Sequence, residues 1–231
     1  MFTISFSWDD GSPFDLKLVE LHEKYQIPCT LFVPNVNSEG LKVMNPSEIK
    51  NVHSDLIDIG CHTKNHTYLN TIPMEKVYDE VMDNKKYLED ILGSKVSKFC
   101  FPGGKYNKNI LQIIDGEFDT LRTANTMNSR FEGYLRTPTF HFFQRGLKSN
   151  LLNTIKQKDT MLKIIIPGLL SSKDDFEFMD YCIEKMNLDS HFYKLHVYGH
   201  SWEINDFELW EKLEKLFKSL SNNYKQSIVA Y

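Results

Sequence analysis

Residues 2–33, "FTISFSWDDGSPFDLKLVELHEKYQIPCTLFV", decide the reading of the fold. The opening "MFTISFSW" reads as a strand. "SPFDLKLVELHEKYQ" reads as a helix, entered through the cap pair Ser12-Pro13 and carrying Leu18, Leu21 and Tyr25 at helical spacing. "IPCTLFVP" reads as the next strand, so the chain begins as strand, helix, strand, the unit from which parallel sheets are built.

The same alternation continues outward. "NPSEIKNV" predicts a helix and "IDIGCHT" a strand. "PMEKVYDEVMDNKKYLEDILG" predicts a long helix, with Val77, Val81, Leu88 and Ile91 on one face and Gly93 as its stop. "SKFCFP" reads as a strand, "NKNILQIIDGE" as helix, "TLRTANT" and "TFHFFQR" as strands, and "LLNTIKQK" as helix. "KIIIPGLL" and "KLHVYGHSW" read as two further strands separated by the helix "DDFEFMDYCIEKMN". "DFELWEKLEKLFKSL" is a late amphipathic helix, and "SIVAY" is placed as a closing strand. About seven βα units without a linker predict a single α/β domain over residues 1–231, a distorted (β/α)7–8 barrel, with an open doubly wound sheet as the alternative.

Composition excludes several classes of function. The chain has 231 residues, with 27 basic and 31 acidic side chains mixed along it for a net charge of −4, which gives no footprint for nucleic acid or an anionic membrane. Cys29, Cys61, Cys100 and Cys182 form no CxxC pair and read as buried reduced thiols. No run reaches the length of a membrane span, and no charged and apolar leader precedes the first strand, so the expected location is cytoplasmic.

In parallel α/β folds the chemistry gathers where strands end. Four such ends are unusual here: Asp9-Asp10 after the first strand, His62 and His66 after "IDIGC", "FPGGKYN" after "SKFC", and His196 and His200 in "HVYGHSW". Singly, each has a plain account. An Asp can cap a helix, a histidine pair can lie at the surface, "PGG" can be a turn, and the late pair can be part of the strand. Jointly, Asp10, His62 and His66 form a two-histidine, one-carboxylate metal set that suits Zn²⁺, with Co²⁺, Ni²⁺, Mn²⁺ and Fe²⁺ as alternatives. Asp9 beside it is placed as a general base, and the cation offsets the repulsion of the adjacent acids.

At these residues the chain resembles the NodB-homology polysaccharide deacetylases, carbohydrate esterase family 4. "FSWDDG" is similar to the family's T-F-D-D-G, whose first Asp is the base and second a metal ligand, and "HTKNH" matches H-[ST]-x-x-H, including Thr63. The resemblance runs from residue 4 to about 107 and is looser beyond. It implies a distorted (β/α)7–8 barrel and a general-acid histidine late in the chain, matched by His200 with His196 as second choice. Cys100 stands where the third motif carries an Arg, and Gly103 where it carries an aromatic. Arg122 is offered as the replacement cation for Asp9, and Asp119 for the fourth motif's Asp, while that motif's Trp has no counterpart.

The expected activity is metal-dependent hydrolysis of an N-acetyl group on an amino sugar, with a nucleotide- or lipid-linked saccharide intermediate as the expected partner. Pro102 and Gly103 are placed at the oxyanion, and Tyr106 and Trp202 as stacking platforms for the sugar. Two other readings stay open: a non-sugar amide hydrolase on the same site, and a binding module that has lost catalysis.

Overall fold

The computed structural model describes residues 1–127, 134–143, 152 and 162–231. The first strand, β1 (Phe2–Asp9), explains the whole arrangement. Side chains alternate across a strand, so Phe2, Ile4, Phe6 and Trp8 fall on one face and Thr3, Ser5, Ser7 and Asp9 on the other. The apolar set packs outward on helices. Phe6 meets Phe217 at 5.2 Å between ring centroids, and the Trp8 indole N–H donates to Nε2 of His22 at 2.7 Å. Nδ1 of His22 must then carry the proton, and it donates to the carbonyl of Ile27 at 2.8 Å. The polar set faces the lumen of a barrel and ends in Asp9 at its mouth.

Helix α1 (Asp15–Tyr25) leads to β2 (Cys29–Val33), α2 (Pro46–Val52) to β3 (Ile57–Cys61), α3 (Met74–Leu92) to β4 (Lys98–Cys100), and α4 (Lys108–Ile113) to β5 (Thr120–Arg122). The short strands β6 (Leu135–Arg136) and β7 (Phe140–His141) follow. Then come helices α5 (Leu162–Ser171) and α6 (Asp175–Leu188), the strand β8 (Tyr193–His200), and helices α7 (Ser201–Asp206) and α8 (Trp210–Asn223). All pairings are parallel, in the order β6-β5-β4-β3-β2-β1-β8-β7. The segment Tyr134–Phe143 bonds on both sides. Leu121 and Thr123 donate to the carbonyls of Tyr134 and Arg136, whereas Thr139 and Phe142 donate to those of His196 and Tyr198. One stretch of chain thus joins β5 to β8 and curls the sheet into the expected distorted barrel. No helix among the described residues is long and apolar enough to cross a membrane.

Two expectations change. "KIIIPGLL", expected as a strand, is helix α5, with Leu162, Ile166 and Leu170 exposed at spacings of four and Ile164, Ile165 and Gly168 buried. A short apolar run is compatible with either state, and here topology decides, because a parallel return from β7 to β8 needs a crossover that α5 and α6 supply. "SIVAY" adds only an isolated bridge, Ile228 to Ile4, rather than a strand. The strand expected in "TLRTANT" stops at Arg122, and that in "TFHFFQR" contracts to Phe140–His141, with Gln144 and Arg145 outside the described residues. The helix expected in "LLNTIKQK" also lies outside them, apart from Leu152.

Candidate active site

The C-terminal ends of the strands bring together every charged residue expected at the site except Asp119. Asp10 follows β1 directly with φ 77°, and Gly11 follows with φ 59°. A Cβ at Gly11 would meet Cγ1 of Val33 at 2.6 Å, so this sharp turn admits only glycine. His62 leaves β3, and Thr63 and His66 in the loop beyond it have φ of 63° and 56°. The Thr63 hydroxyl accepts from the Thr67 N–H at 2.9 Å and closes that loop.

Asp10 Oδ1 lies 3.0 Å from His66 Nε2 and 3.4 Å from His62 Nε2. Neither approach has hydrogen-bond geometry, so this buried oxygen is left without a hydrogen-bond partner. Nδ1 of His62 faces the carbonyl of Cys100 at 2.9 Å and must donate to it, which leaves the Nε2 lone pair for the site. Asp10 Oδ2 accepts from the Trp202 indole at 2.8 Å. Three buried donors within 4.8 Å of one another, two of them oriented by outer hydrogen bonds, fit a divalent cation. Burial acts to raise the Asp10 carboxyl, but the two imidazoles outweigh it and hold it well below the usual carboxylate range.

Asp9 Oδ1 is paired with the guanidinium of Arg122, which is fully buried and lies 4.7 Å from the Tyr198 ring and 5.2 Å from that of Phe32. Arg122 reaches it because β5 sets it in register with Cys100 on β4, the position at which the resemblance expects the cation. Burial pushes the Asp9 carboxyl up, whereas Arg122, His62 and His200 hold it below its ordinary value. Burial pushes the Cys100 thiol well up, and its sulfur stands 3.8 Å from Asp9 Oδ2. That thiol is a neutral neighbour of the pair.

His200 is in register with Asp9, and its Nε2 is 4.0 Å from both Asp9 Oδ2 and Asp10 Oδ2. Its Nδ1 bonds Glu203 Oε2 at 2.6 Å, and the same oxygen bonds Nε2 of His141 at 2.9 Å. Burial opposes protonation of His200, yet Glu203 and Asp10 push its pKa up to about 9. His196 sits four residues deeper, about 13 Å along the strand, between the hydroxyls of Ser5 and Ser7 at 2.9 and 2.8 Å. Burial holds it well below its ordinary value, so it is a neutral lumen residue.

The cleft over these groups has a volume of about 280 Å³ and is lined also by Glu39, Tyr68, Gly103, Ala124, Tyr198 and Trp202. Pro102 and Tyr106 are not among its lining residues. Pro102 is buried in the turn, and the half-buried Tyr106 ring stacks on Phe101 at 5.1 Å, beside rather than within this cleft lining. Asp119 is also displaced, because it precedes β5 at the far end of the barrel and faces Lys95 at 4.0 Å on the surface. Sequence reading missed His141 and Glu203. Each had a signal, since His141 is the inward position within "FHFF" and Glu203 lies three residues past His200.

A sequence model described as polysaccharide deacetylase matches residues 2–115. The peptidoglycan-N-acetylglucosamine deacetylase of Bacillus cereus is 29% identical over 112 residues, 47% of this chain and 50% of that protein. The chain spans at most about half the length of the curated relatives it matches. Among solved structures, the Streptococcus pyogenes deacetylase PplD in complex with acetate is similar at a TM-score of 0.55 and 21% identity, over 65% of this chain and 69% of that one. The Xyl-CE4 domain of a multidomain xylanase from the hindgut metagenome of Trinervitermes trinervoides aligns over 99% of this chain and 85% of its own, with a TM-score of 0.57 and 14% identity. Over residues 2–115 the chain carries sequence matched by the polysaccharide deacetylase family, and along nearly its whole length it shares the fold of a carbohydrate esterase family 4 domain.

Proposed function

We propose that this protein is a metal-dependent N-deacetylase that hydrolyses the N-acetyl group of an amino sugar. The observation that carries the reading is the pair of facing halves in one cleft: Asp10, His62 and His66 on one side, and the ion-paired Asp9 with His200 on the other. Zinc, held by Asp10, His62 and His66, would supply Lewis-acid chemistry, acidifying water and polarising the amide carbonyl. Asp9, kept ionised by Arg122, takes the proton of the attacking water. Gly103 lines the cleft, and its backbone N–H is assigned to the oxyanion. His200 donates the Nε2 proton to the departing amine, while Glu203 fixes its ring through Nδ1. Trp202 and Tyr68 are the aromatic walls offered to a sugar ring.

The test is a panel of N-acetylglucosamine oligomers, nucleotide-linked N-acetyl sugars and small non-sugar amides, read by acetate or amine release. Release from an N-acetylated saccharide is the expected outcome. Turnover of the non-sugar amides alone would transfer the same machinery to another substrate.

The Glu203 contact gives a pH prediction. His200 must be protonated to act as the acid, so kcat should fall as pH rises through its pKa, pushed up to about 9. Glu203→Gln removes the charge that favours the imidazolium, so the alkaline limb should move to lower pH with its acidic limb unchanged. An unmoved alkaline limb in a kcat profile would take Glu203 out of this role.

A further inference from the structure

We propose that the face of α3 carrying Glu80 and Asn84 positions the two histidines, so that this helix sets the metal affinity along with the imidazoles themselves. The proposal rests on the metal-site reading above. The loop His62–Thr67 passes through left-handed backbone at Thr63 and again at His66, a conformation that needs support from outside. That support comes largely from α3. Asn84, fully buried, accepts from the His62 N–H at 2.8 Å through Oδ1. Its Nδ2 donates to the Val33 carbonyl at 3.0 Å and to Asn35 Oδ1 at 2.8 Å, at the end of β2. One amide thus ties together the ends of two strands and fixes the backbone from which His62 departs.

One turn earlier, Glu80 bonds the other half of the loop. Its backbone carbonyl accepts from the Lys64 N–H at 2.8 Å, and its carboxylate accepts from the Asn65 N–H at 2.7 Å and the Asn65 side chain at 2.9 Å. The carbonyls of Lys64 and Asn65 in turn accept from the N–H groups of Asn35, Val36 and Ser38, at 3.1 Å in each case. The chain between the two histidines is therefore bonded to α3 on one side and to the loop after β2 on the other. Asn84 also interrupts the apolar stripe of α3, lying between Val81 and Leu88 among the buried residues. Leucine there would pack in the core but remove the side-chain bonds that Asn84 makes to the His62 N–H, the Val33 carbonyl and Asn35.

The experiment compares Asn84→Ala with Val81→Ala, a buried position of the same helix that offers the loop no side-chain hydrogen bond. Zinc affinity is measured by chelator competition, melting temperature without metal, and amide exchange at His62, Lys64 and Asn65 in the metal-free protein. Asn84→Ala should weaken zinc binding about 10–100-fold and speed exchange at those amides, whereas Val81→Ala should lower the melting temperature with affinity unchanged. Glu80→Ala, should Asn84→Ala not fold, is expected to act in the same direction through Lys64 and Asn65. Unchanged zinc affinity in Asn84→Ala, or an equal loss in Val81→Ala, would overturn the proposal. A parent that takes up no zinc would refute the metal reading instead. The clamp would then stand on amide exchange alone, upheld if Asn84→Ala speeds it more than Val81→Ala and overturned if the two are equal.

Discussion

Asp9→Asn is expected to lower kcat for acetate release by about 10²–10⁴ while leaving the metal in place. The amide keeps the shape of the carboxylate and an oxygen for Arg122, but it cannot take a proton from water. Its position follows from β1 itself, because period-two alternation makes Asp9 the last inward residue after Thr3, Ser5 and Ser7. The substitution also leaves the buried Arg122 guanidinium without its counter-charge, which carries a stability penalty of roughly 3–5 kcal/mol. Melting temperature and zinc content are therefore measured beside kcat. A folded, zinc-loaded variant at full rate would remove Asp9 from the chemistry.

His62→Ala has the second large effect, and it falls on binding rather than rate. It deletes one of three protein donors and the outer hydrogen bond to the Cys100 carbonyl. Elemental analysis after loading should find about one zinc in the parent and close to none in the variant. The zinc-dependent rise in melting temperature should vanish with it, because a ligand stabilises only the state that binds it. Metal retained in equal amount by both proteins would place the ion elsewhere.

How far the sequence could be read follows from the physics of each element. Strand β1 and helix α1 were legible, because strand-forming residues and helical spacing point the same way, although the helix begins at Asp15 with Phe14 at its N-cap and no side-chain cap, past the expected Ser12-Pro13 pair. The candidate metal set was legible only jointly, because Asp10, His62 and His66, each with a plain account alone, fall together at neighbouring strand ends. Helix α5 was not, since the short run "KIIIPGLL" lacks a decisive period and only the crossover from β7 to β8 makes it helical. Arg122 could be suspected as a lone cation at a strand end, yet its contact with Asp9 depends on the register between β4 and β5, which no local pattern encodes. Asn84 escaped for the same reason, whereas Glu203 lies only three residues past His200. The backbone groups that Asn84 bonds, and the His141 ring that Glu203 also bonds, come within reach only in the folded chain.

The most direct test is a zinc titration of the metal-free protein, reading acetate release from an N-acetylglucosamine oligomer at each addition. A rate that rises from baseline and saturates near one equivalent, and stays at baseline in His62→Ala, is the predicted result. A rate already full without metal and unchanged by zinc would contradict the account, because Asp10, His62 and His66 would then form no metal site on which the reaction depends.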